Sequence, residues 1–382
     1  MIRRKVCIIT GTRAEYGLLY PVLKEIEKRK ELFLQLVATT AHLSHEFGLT
    51  YKQIEKDGFD IDDRIDNLLP LDTKSSIAKS TGLATMLLAD SFEKLNPDMV
   101  LLLGDRFETH AAATTAMLMN IPIAHIHGGE ITEGAIDEQI RHSITKMSQL
   151  HFCSTEVYRQ RIIQMGEDPS KVFNTGAPGI DNIVNLDLLS RGNLEKQLGW
   201  KLPQQCALFT YHPTTLENEN LKKDLSIIFD IVSDSGIGIL FTYANADNGG
   251  KIINKKIEEF CKLDADKYKV VKSLGQLRYL SAMKHVDFLI GNTSSGIIEA
   301  ASFSKPVVNI GNRQLGRLKG INVIDCNIEE LEKSIEIALS NDFIKKCHNQ
   351  ENIYGDGRSA ARIVNELVNQ PLSLGKKFID IK

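Results

Sequence analysis

No pair among the six cysteines, Cys7, Cys153, Cys206, Cys261, Cys326 and Cys347, has metal-ligand or redox spacing. Several fall in strand-like runs, so they read as buried, reduced thiols of a cytoplasmic protein. Basic charge is not in excess. The net charge of −3 offers nucleic acid no general field, and any anion site must be local. A membrane-length apolar run is also missing. The stretch 111–124 is apolar but short, and Asn120 and Pro122 interrupt it. The basic start MIRRKVCIIT has too short an apolar run for a signal peptide. There is no GxGxxG and no GKS/T, which removes the dinucleotide fingerprint and the Walker loop. Low-complexity tracts are absent too, no metal-binding DxD-type cluster is evident beside the candidate site, and no metal is assigned.

What is present is ordinary globular composition, 42% hydrophobic and 25% charged, over 382 residues. That length exceeds what one core usually serves, so two domains are expected. Short apolar runs alternate with helical periodicity along the whole chain. Strands are predicted over 5–10, 32–40, 99–103, 121–126, 150–154 and 172–175, with helices between them, including 46–56 and 137–149. The pattern restarts at 207–211 and continues through 237–243, 268–273, 288–290, 306–310 and 321–325. Strand–helix alternation of this kind implies parallel sheets covered on both faces. The expected fold class is α/β, two Rossmann-like domains facing a central cleft. The stretch 190–205, with Gly199, Trp200 and Pro203, is the candidate linker. Residues 1–189 then form a first domain carrying the catalytic acids, 190–355 a nucleotide-binding domain, and 356–382 a last helix and tail.

Chemistry concentrates between residues 100 and 142. Two predicted buried strands end in Gly104-Asp105-Arg106 and Gly128-Gly129-Glu130, and Asp137-Glu138 opens the next helix. Open α/β sheets bind ligands beyond the carboxyl ends of their strands. Three carboxylates there, beside Arg106 and several histidines, point to proton transfer on an anionic substrate. Gly11-Thr12-Arg13 is a strand–turn–helix junction expected to aim free amides at a phosphate. In the second half, Gly291-Asn292-Thr293-Ser294-Ser295-Gly296 lies at a similar junction, where a Ser/Thr cap and helix amides would face a diphosphate. Glu299 follows one turn later, and Arg313 offers a bidentate fork.

Plainer readings stand beside these. Taken alone, Asp105 is equally a helix N-cap and Glu130 more readily an exposed loop acid; Arg106, Glu130 and the cleft position together favour Asp105 as a site acid. His125 and His127 alternate on one strand, so at least one should be a packed core histidine. His142 is as readily structural as substrate-contacting. Arg106 and Arg141 could be ion-pair partners that position the acids. The run 222–224 and the tail lysines Lys376 and Lys377 read as solvated surface.

Taken in order, the motifs resemble the sugar-nucleotide 2-epimerase family over nearly the whole chain. They are Gly11-Thr12-Arg13-Ala14-Glu15, Gly104-Asp105-Arg106, His125-Ile126-His127-Gly128-Gly129-Glu130, Asp137-Glu138 and Ile140-Arg141-His142, then Tyr211-His212-Pro213, Asn245-Ala246-Asp247, Ser294-Ser295-Gly296, Glu299 and Gly311-Asn312-Arg313-Gln314. The likeness is greatest to the hydrolysing branch, which serves sialic-acid-like nonulosonate synthesis. The resemblance implies a glycosyltransferase-B-like fold, an active site in the interdomain cleft and a last helix returning to the first domain. It implies a homodimer or homotetramer and no cofactor. By resemblance, Asp105, Glu130 and Asp137 match an acidic catalytic triad, and His212 sits beside diphosphate and sugar. Arg13 matches a diphosphate contact and Arg106 a substrate-orienting cation. Asn245, Ser294, Ser295, Gly296, Glu299 and Arg313 match nucleotide contacts, with Glu299 at the ribose hydroxyls. Glu138 and Arg141 complete the substrate-binding set, and a slip of one residue would exchange Asp137 with Glu138.

The implied reaction turns UDP-N-acetylglucosamine and water into N-acetylmannosamine and UDP through a 2-acetamidoglucal. The alternatives are the same chemistry on UDP-N,N′-diacetylbacillosamine for a legionaminic-type pathway, a GDP-linked sugar, a non-hydrolysing 2-epimerase and a retaining glycosyltransferase. A non-catalytic nucleotide-sugar sensor would leave the three acids unexplained.

Overall fold

A computed structural model describes residues 3–69, 73–132, 136–213, 221–244 and 250–380. The chain divides into two compact units, Met1–Val184 with Tyr354–Lys382, and Asn185–Ile353. In the first unit, the strand β1 (Arg4–Thr10) turns Val6 and Ile8 to one core layer and Cys7 and Ile9 to the other. A strand buried on both faces belongs at the centre of a parallel sheet. Around it lie β2 (Leu32–Thr39), β3 (Asp63–Ile65), β4 (Met99–Leu103), β5 (Ile123–Ile126), β6 (Leu150–Cys153) and β7 (Val172–Asn174). Their order is β3-β2-β1-β4-β5-β6-β7, and every pairing is parallel.

The second unit repeats the plan with β8 (Cys206–Thr210), β9 (Gly238–Thr242), β10 (Tyr268–Val271), β11 (Phe288–Gly291), β12 (Val307–Ile310) and β13 (Val323–Cys326), in the order β10-β9-β8-β11-β12-β13. In each sheet the strand order reverses once, between β1 and β4 and between β8 and β11. Such reversals open a crevice at the strands' carboxyl ends, the usual ligand position in this architecture. All six cysteines are buried and unpaired, and no helix among the described residues is long and apolar enough to cross a membrane.

Three details differ from the sequence expectation. The stretch expected as a linker contains a helix, Arg191–Leu198. The Ser190 hydroxyl accepts from the Asn193 amide at 3.3 Å, and Gly199 ends the helix with φ +57°. Leu194, Leu198, Trp200 and Leu202 then join a core layer of the second unit. Both cap residues stand in the sequence, but Gly199, Trp200 and Pro203 together looked like a break. The helix expected over 46–56 shortens to Tyr51–Lys56, and the polar stretch before residue 66 hides the edge strand β3, too short and too charged to show a pattern.

The third difference is the tail. Lys376 is not solvated surface. Its ammonium donates to the carbonyls of Thr145, Lys146 and Ser148 at 3.1, 2.6 and 2.6 Å. These carbonyls sit at the carboxyl end of the helix Ile136–Met147, where the helix dipole favours a cation. Lys376 also pairs with buried Glu167 at 2.7 Å. Burial raises the Glu167 carboxyl, but hydrogen bonds from His151, Lys146 and Lys376 outweigh it and hold it at about 2. The Phe378 ring covers Gly166 and lies under the Lys146 ammonium, 4.9 Å from its centre. The last helix, Ser359–Asn369, is anchored in the same unit. The Asp181 carboxylate accepts from the amides of Ser359 and Ala360 at 2.9 and 2.8 Å, while Ile363, Val364 and Leu367 enter the core with Leu19 and Leu23. Lys376→Met should therefore cost about 1–3 kcal/mol in urea unfolding, the loss expected when carbonyls and a buried carboxylate lose a shared donor; an unchanged midpoint would mean the tail is not held.

Candidate active site

In the first unit the site forms where β4 and β5 end. Asp105 does not cap the following helix, Phe107–Leu118. Arg106 occupies the cap position, and no side chain bonds there. The Asp105 carboxylate instead forms an ion pair with the guanidinium of Arg141. Arg141 is only 2% exposed and projects from the helix Ile136–Met147. It also donates to the Glu130 carbonyl at 3.0 Å, the Thr132 hydroxyl at 2.8 Å and the Glu138 carboxylate at 3.4 Å. A planar guanidinium with five donors in fixed directions can hold several acceptors in a set geometry at once. Glu138 is further committed, accepting from the Thr132 amide at 2.6 Å and pairing with His142 at 3.0 Å.

Glu130 is not a solvated loop acid. It is buried, and its Oε1 accepts from His127 Nδ1 at 2.6 Å and the Ser154 hydroxyl at 2.9 Å. His127 adopts φ +67°, a left-handed conformation that a non-glycine residue holds only where its surroundings over-determine it. His125 is the packed histidine. Its Nε2 bonds the Gly104 carbonyl at 2.7 Å, and burial pushes it down to about 3, so it is neutral. Asp137 is half-buried and contributes, after Glu108 and Glu15, to the negative charge that raises the pKa of Arg106. Thus Asp105, Glu130, Glu138 and Arg141 form one hydrogen-bonded group, and Asp137 belongs to the charge set around Arg106.

The first glycine turn corrects an expectation. Thr12-Arg13-Ala14-Glu15 is a capping box, in which the N-cap hydroxyl and the acid three residues on satisfy each other's backbone amides. The Thr12 hydroxyl accepts from the Glu15 amide at 3.3 Å, and the Glu15 carboxylate accepts from the Gly11 amide at 2.6 Å. An amide expected to await phosphate is therefore already held by an internal acid. Exposed Arg13 is what the turn offers an anion. Glu108 lies against the same turn, because a Cβ on Gly11 would come within 2.3 Å of its Oε1. Glu108 in turn accepts from Arg106 Nε at 2.5 Å. The capping spacing at 12–15 could have revealed Glu15. Nothing in the sequence marks Glu108.

In the second unit the loops after β8 and β11 are locked together. The His212 amide donates to Asn292 Oδ1 at 2.7 Å, and Asn292 Nδ2 returns a bond to the His212 carbonyl at 2.9 Å. The strands approach so closely that a Cβ on Gly291, at φ +133°, would fall 2.0 Å from the Thr210 carbonyl oxygen. Arg313 and Gln314 both donate to the Asn292 carbonyl, at 3.1 and 2.9 Å. Asn292 thus organises this loop pair, although sequence reasoning passes over it. His212 is buried and neutral, pushed down to about 4 first by burial and then by Arg313.

Thr293 caps the short helix Ser294–Ile298, accepting from the Ser295 amide at 3.4 Å. Ser294 opens that helix, and the Ser295 hydroxyl donates to the Glu299 carboxylate. Burial pushes Glu299 up to about 7 against that bond. Gly296 sits against Val307, 3.2 Å from where its Cβ would be. Asn245 lies outside the described residues. Among the described residues no group of three or more His, Cys, Asp or Glu side chains is placed to hold a metal ion. The first unit's set can accept and donate protons. The second unit's set can hold phosphates and hydroxyls.

The model of the UDP-N-acetylglucosamine 2-epimerase family matches residues 24–368. The chain is 44% identical, over all of both chains, to a hydrolysing GDP/UDP-N,N′-diacetylbacillosamine 2-epimerase of Campylobacter jejuni. It is 36% identical to a hydrolysing UDP-N,N′-diacetylbacillosamine 2-epimerase of Legionella pneumophila, covering 97% of each chain. The crystal structure of UDP-GlcNAc 2-epimerase from Neisseria meningitidis bound to UDP-GlcNAc shares the fold, with a TM-score of 0.81 at 19% identity, covering 96% of this chain and 100% of that one. The chain belongs to the UDP-N-acetylglucosamine 2-epimerase family.

Proposed function

We propose that the protein is a hydrolysing 2-epimerase that releases UDP and a free, C2-inverted sugar from a UDP-linked 2-acetamido sugar. The observation that carries this reading is the Arg141 group, which fixes Asp105 and Glu130 in unlike surroundings. Asp105 is partly exposed and faces a guanidinium, while Glu130 is buried and held by a histidine and a hydroxyl. Inversion at one carbon needs proton acceptance on one face and delivery on the other, and two acids in different environments suit two roles.

The hydrogen on C2 has no adjacent carbonyl, so a carboxylate alone cannot remove it. The bond from C1 to the diphosphate oxygen breaks and its electron pair leaves with UDP. The C2 proton passes to a carboxylate of the Asp105, Glu130 and Asp137 set, giving a 2-acetamidoglucal. Water then adds its hydroxyl to C1, and a proton returns to C2 on the opposite face. Fixed donors serve the departing diphosphate best. Arg13, Arg313 and neutral His212 are assigned that work, with Arg106 orienting the sugar. Glu299 and Ser295, with Ser294 and Gly296 beside them, are assigned to the nucleoside.

Between the two sugars, the 44% and 36% identities favour N,N′-diacetylbacillosamine over N-acetylglucosamine. The product would then feed a legionaminic-type pathway. Six unpaired buried thiols suit a reducing cytoplasm. Exposed Met86, Met117 and Leu118 on the adjoining helices Lys74–Leu95 and Phe107–Leu118 suit a homodimer or homotetramer.

Incubation with each UDP-sugar in D₂O, without an acceptor, followed by NMR, tests the reading. The expected products are free UDP and a C2-deuterated epimer, formed faster from the diacetylbacillosamine nucleotide. A UDP-linked epimer as the end product, or no UDP release from either sugar, would contradict it. In the same assay Asp105→Asn and Glu130→Gln should each lower kcat by about 10²–10⁴-fold, the usual weight of an acid–base group, while isothermal titration still detects UDP. Arg313→Ala should weaken UDP binding by about 10–100-fold, as expected for a lost charged hydrogen-bond donor.

A further inference from the structure

The turn after β5 holds an imidazole that the three-acid scheme leaves idle. Within four residues, His127 to Glu130, the chain folds back on itself, with φ +67° at His127 and +77° at Gly129. Close packing requires the glycines. A Cβ on Gly129 would fall 2.5 Å from the Tyr158 carbonyl oxygen, and one on Gly128 would fall 3.0 Å from Thr145 Oγ1. Arg161 and Arg141 hold the turn by its backbone, donating to the Gly129 and Glu130 carbonyls. The His127 amide fixes its start, donating to the Phe152 carbonyl at 2.9 Å. So constrained, the turn brings Glu130 Oε1 to His127 Nδ1 at 2.6 Å, with the Ser154 hydroxyl as a second donor at 2.9 Å.

A carboxylate that accepts from Nδ1 fixes the proton there and leaves Nε2 with a lone pair. That nitrogen is buried and has no hydrogen-bond partner among the described residues. Native structures leave few such atoms, and left-handed backbone at a histidine is also uncommon; each calls for a functional explanation. The ring lies at the rim of the core: His127 is 9% exposed, whereas His125 and His151 are 0% and 1% exposed. His151 gives the contrast. It too bonds an acid, Glu167, and has an unpartnered ring nitrogen, but it lies inside β6, and its acid also pairs with Lys146 and Lys376. His127 instead stands at the carboxyl end of β5, and Arg141 links its turn to Asp105.

We propose that His127 is a catalytic residue whose Nε2 receives the C2 proton of the sugar, and that Glu130 is the positioning residue behind it. This rests on the 2-epimerase reading above and gives Glu130's share of the proton transfer to the ring in front of it. As the bond from C1 to the diphosphate oxygen breaks and its electron pair leaves with UDP, the C2 proton passes to Nε2. Glu130 then faces the imidazolium, as a third group orients and supports a catalytic base. Asp105 and Asp137 remain for the opposite face. There a protonated carboxyl gives C2 its new hydrogen, water adds its hydroxyl to C1, and the water's other proton restores the carboxyl. The imidazolium gives its proton to solvent, so one proton is released with each UDP.

His127→Asn tests the role. Asparagine tolerates positive φ and keeps an amide donor for Glu130, but it has no basic nitrogen. In the D₂O assay its kcat should fall by about 10²–10⁴-fold, with UDP bound as tightly as by the wild type in isothermal titration. In His127→Gly, which also accepts the turn, added imidazole should revive turnover in proportion to its concentration. Ring ¹⁵N NMR of the free wild type, with the signal assigned by its loss in His127→Asn, should show Nδ1 protonated through the neutral pH range. Glu130→Gln should remove that tautomer preference, a signature that packing alone does not set. An asparagine variant as fast as the wild type, or a glycine variant that imidazole does not revive, overturns the catalytic role while the 2-epimerase reading stands. A free protein with neutral His127 protonated at Nε2 overturns the positioning by Glu130. If the wild type releases no UDP from either sugar, the 2-epimerase reading falls and the catalytic role falls with it, and the ring tautomer still decides the pairing with Glu130.

Discussion

The buried guanidinium of Arg141 is the contact on which the arrangement of the first unit's acids depends. It joins three stretches of chain that no local rule would bring together: the turn after β4 through Asp105, the loop after β5 through the Glu130 carbonyl and Thr132, and its own helix through Glu138. Removing one partner of a buried ion pair is far more damaging than its surface equivalent, because the other charge is left unpaired. The helix that presents Arg141 is pinned at its far end by Lys376, which takes two of its last carbonyls and that of Ser148 just beyond. A residue near the end of the chain thereby steadies the element that gathers the acids.

The two units solve the same placement problem with different materials. Both use the point where strand order reverses. At β1 and β4 the crevice is furnished with ionisable side chains: Glu15, Glu108, Arg106 and Asp105. At β8 and β11 the furniture is mainly backbone and amide, with Asn292 holding the His212 peptide from both sides while its own carbonyl takes Arg313 and Gln314. The first arrangement is suited to moving protons. The second is suited to holding a fixed shape around a charged ligand, with His212 kept neutral by burial and by Arg313.

The parallel sheets and most strands were legible because buried strands announce themselves as short apolar runs between helical periods. The acids at 105 and 130 were legible because each follows such a run through glycine. What those acids touch was not. Taken alone, Asp105 looked as much like a helix cap as a site acid, and its ion-pair partner lies 36 residues on, where only folding supplies it. Glu108 gave no sign, because its meaning comes from Gly11, a different strand's turn. Lys376 read as surface because a tail lysine has no local pattern to mark burial. The helix Arg191–Leu198 was hidden by the breakers beside it, although Ser190 and Gly199 were its caps. Local signals locate elements and their ends; contacts between distant stretches decide what the charged residues do.

If Arg141 gathers the acids, a residue that keeps its charge but not its fork should leave a folded protein that binds nucleotide and reacts poorly. The decisive measurement is kcat for Arg141→Lys, with UDP affinity and the thermal melt recorded on the same preparation. The account expects kcat to fall by about 10²-fold or more, the cost of displacing reacting groups by about an ångström, with UDP bound as tightly as by the wild type. A variant that turns over within about twofold of the wild type would show a lost interaction worth less than half a kcal/mol in the transition state, and the acids would then be placed by something else.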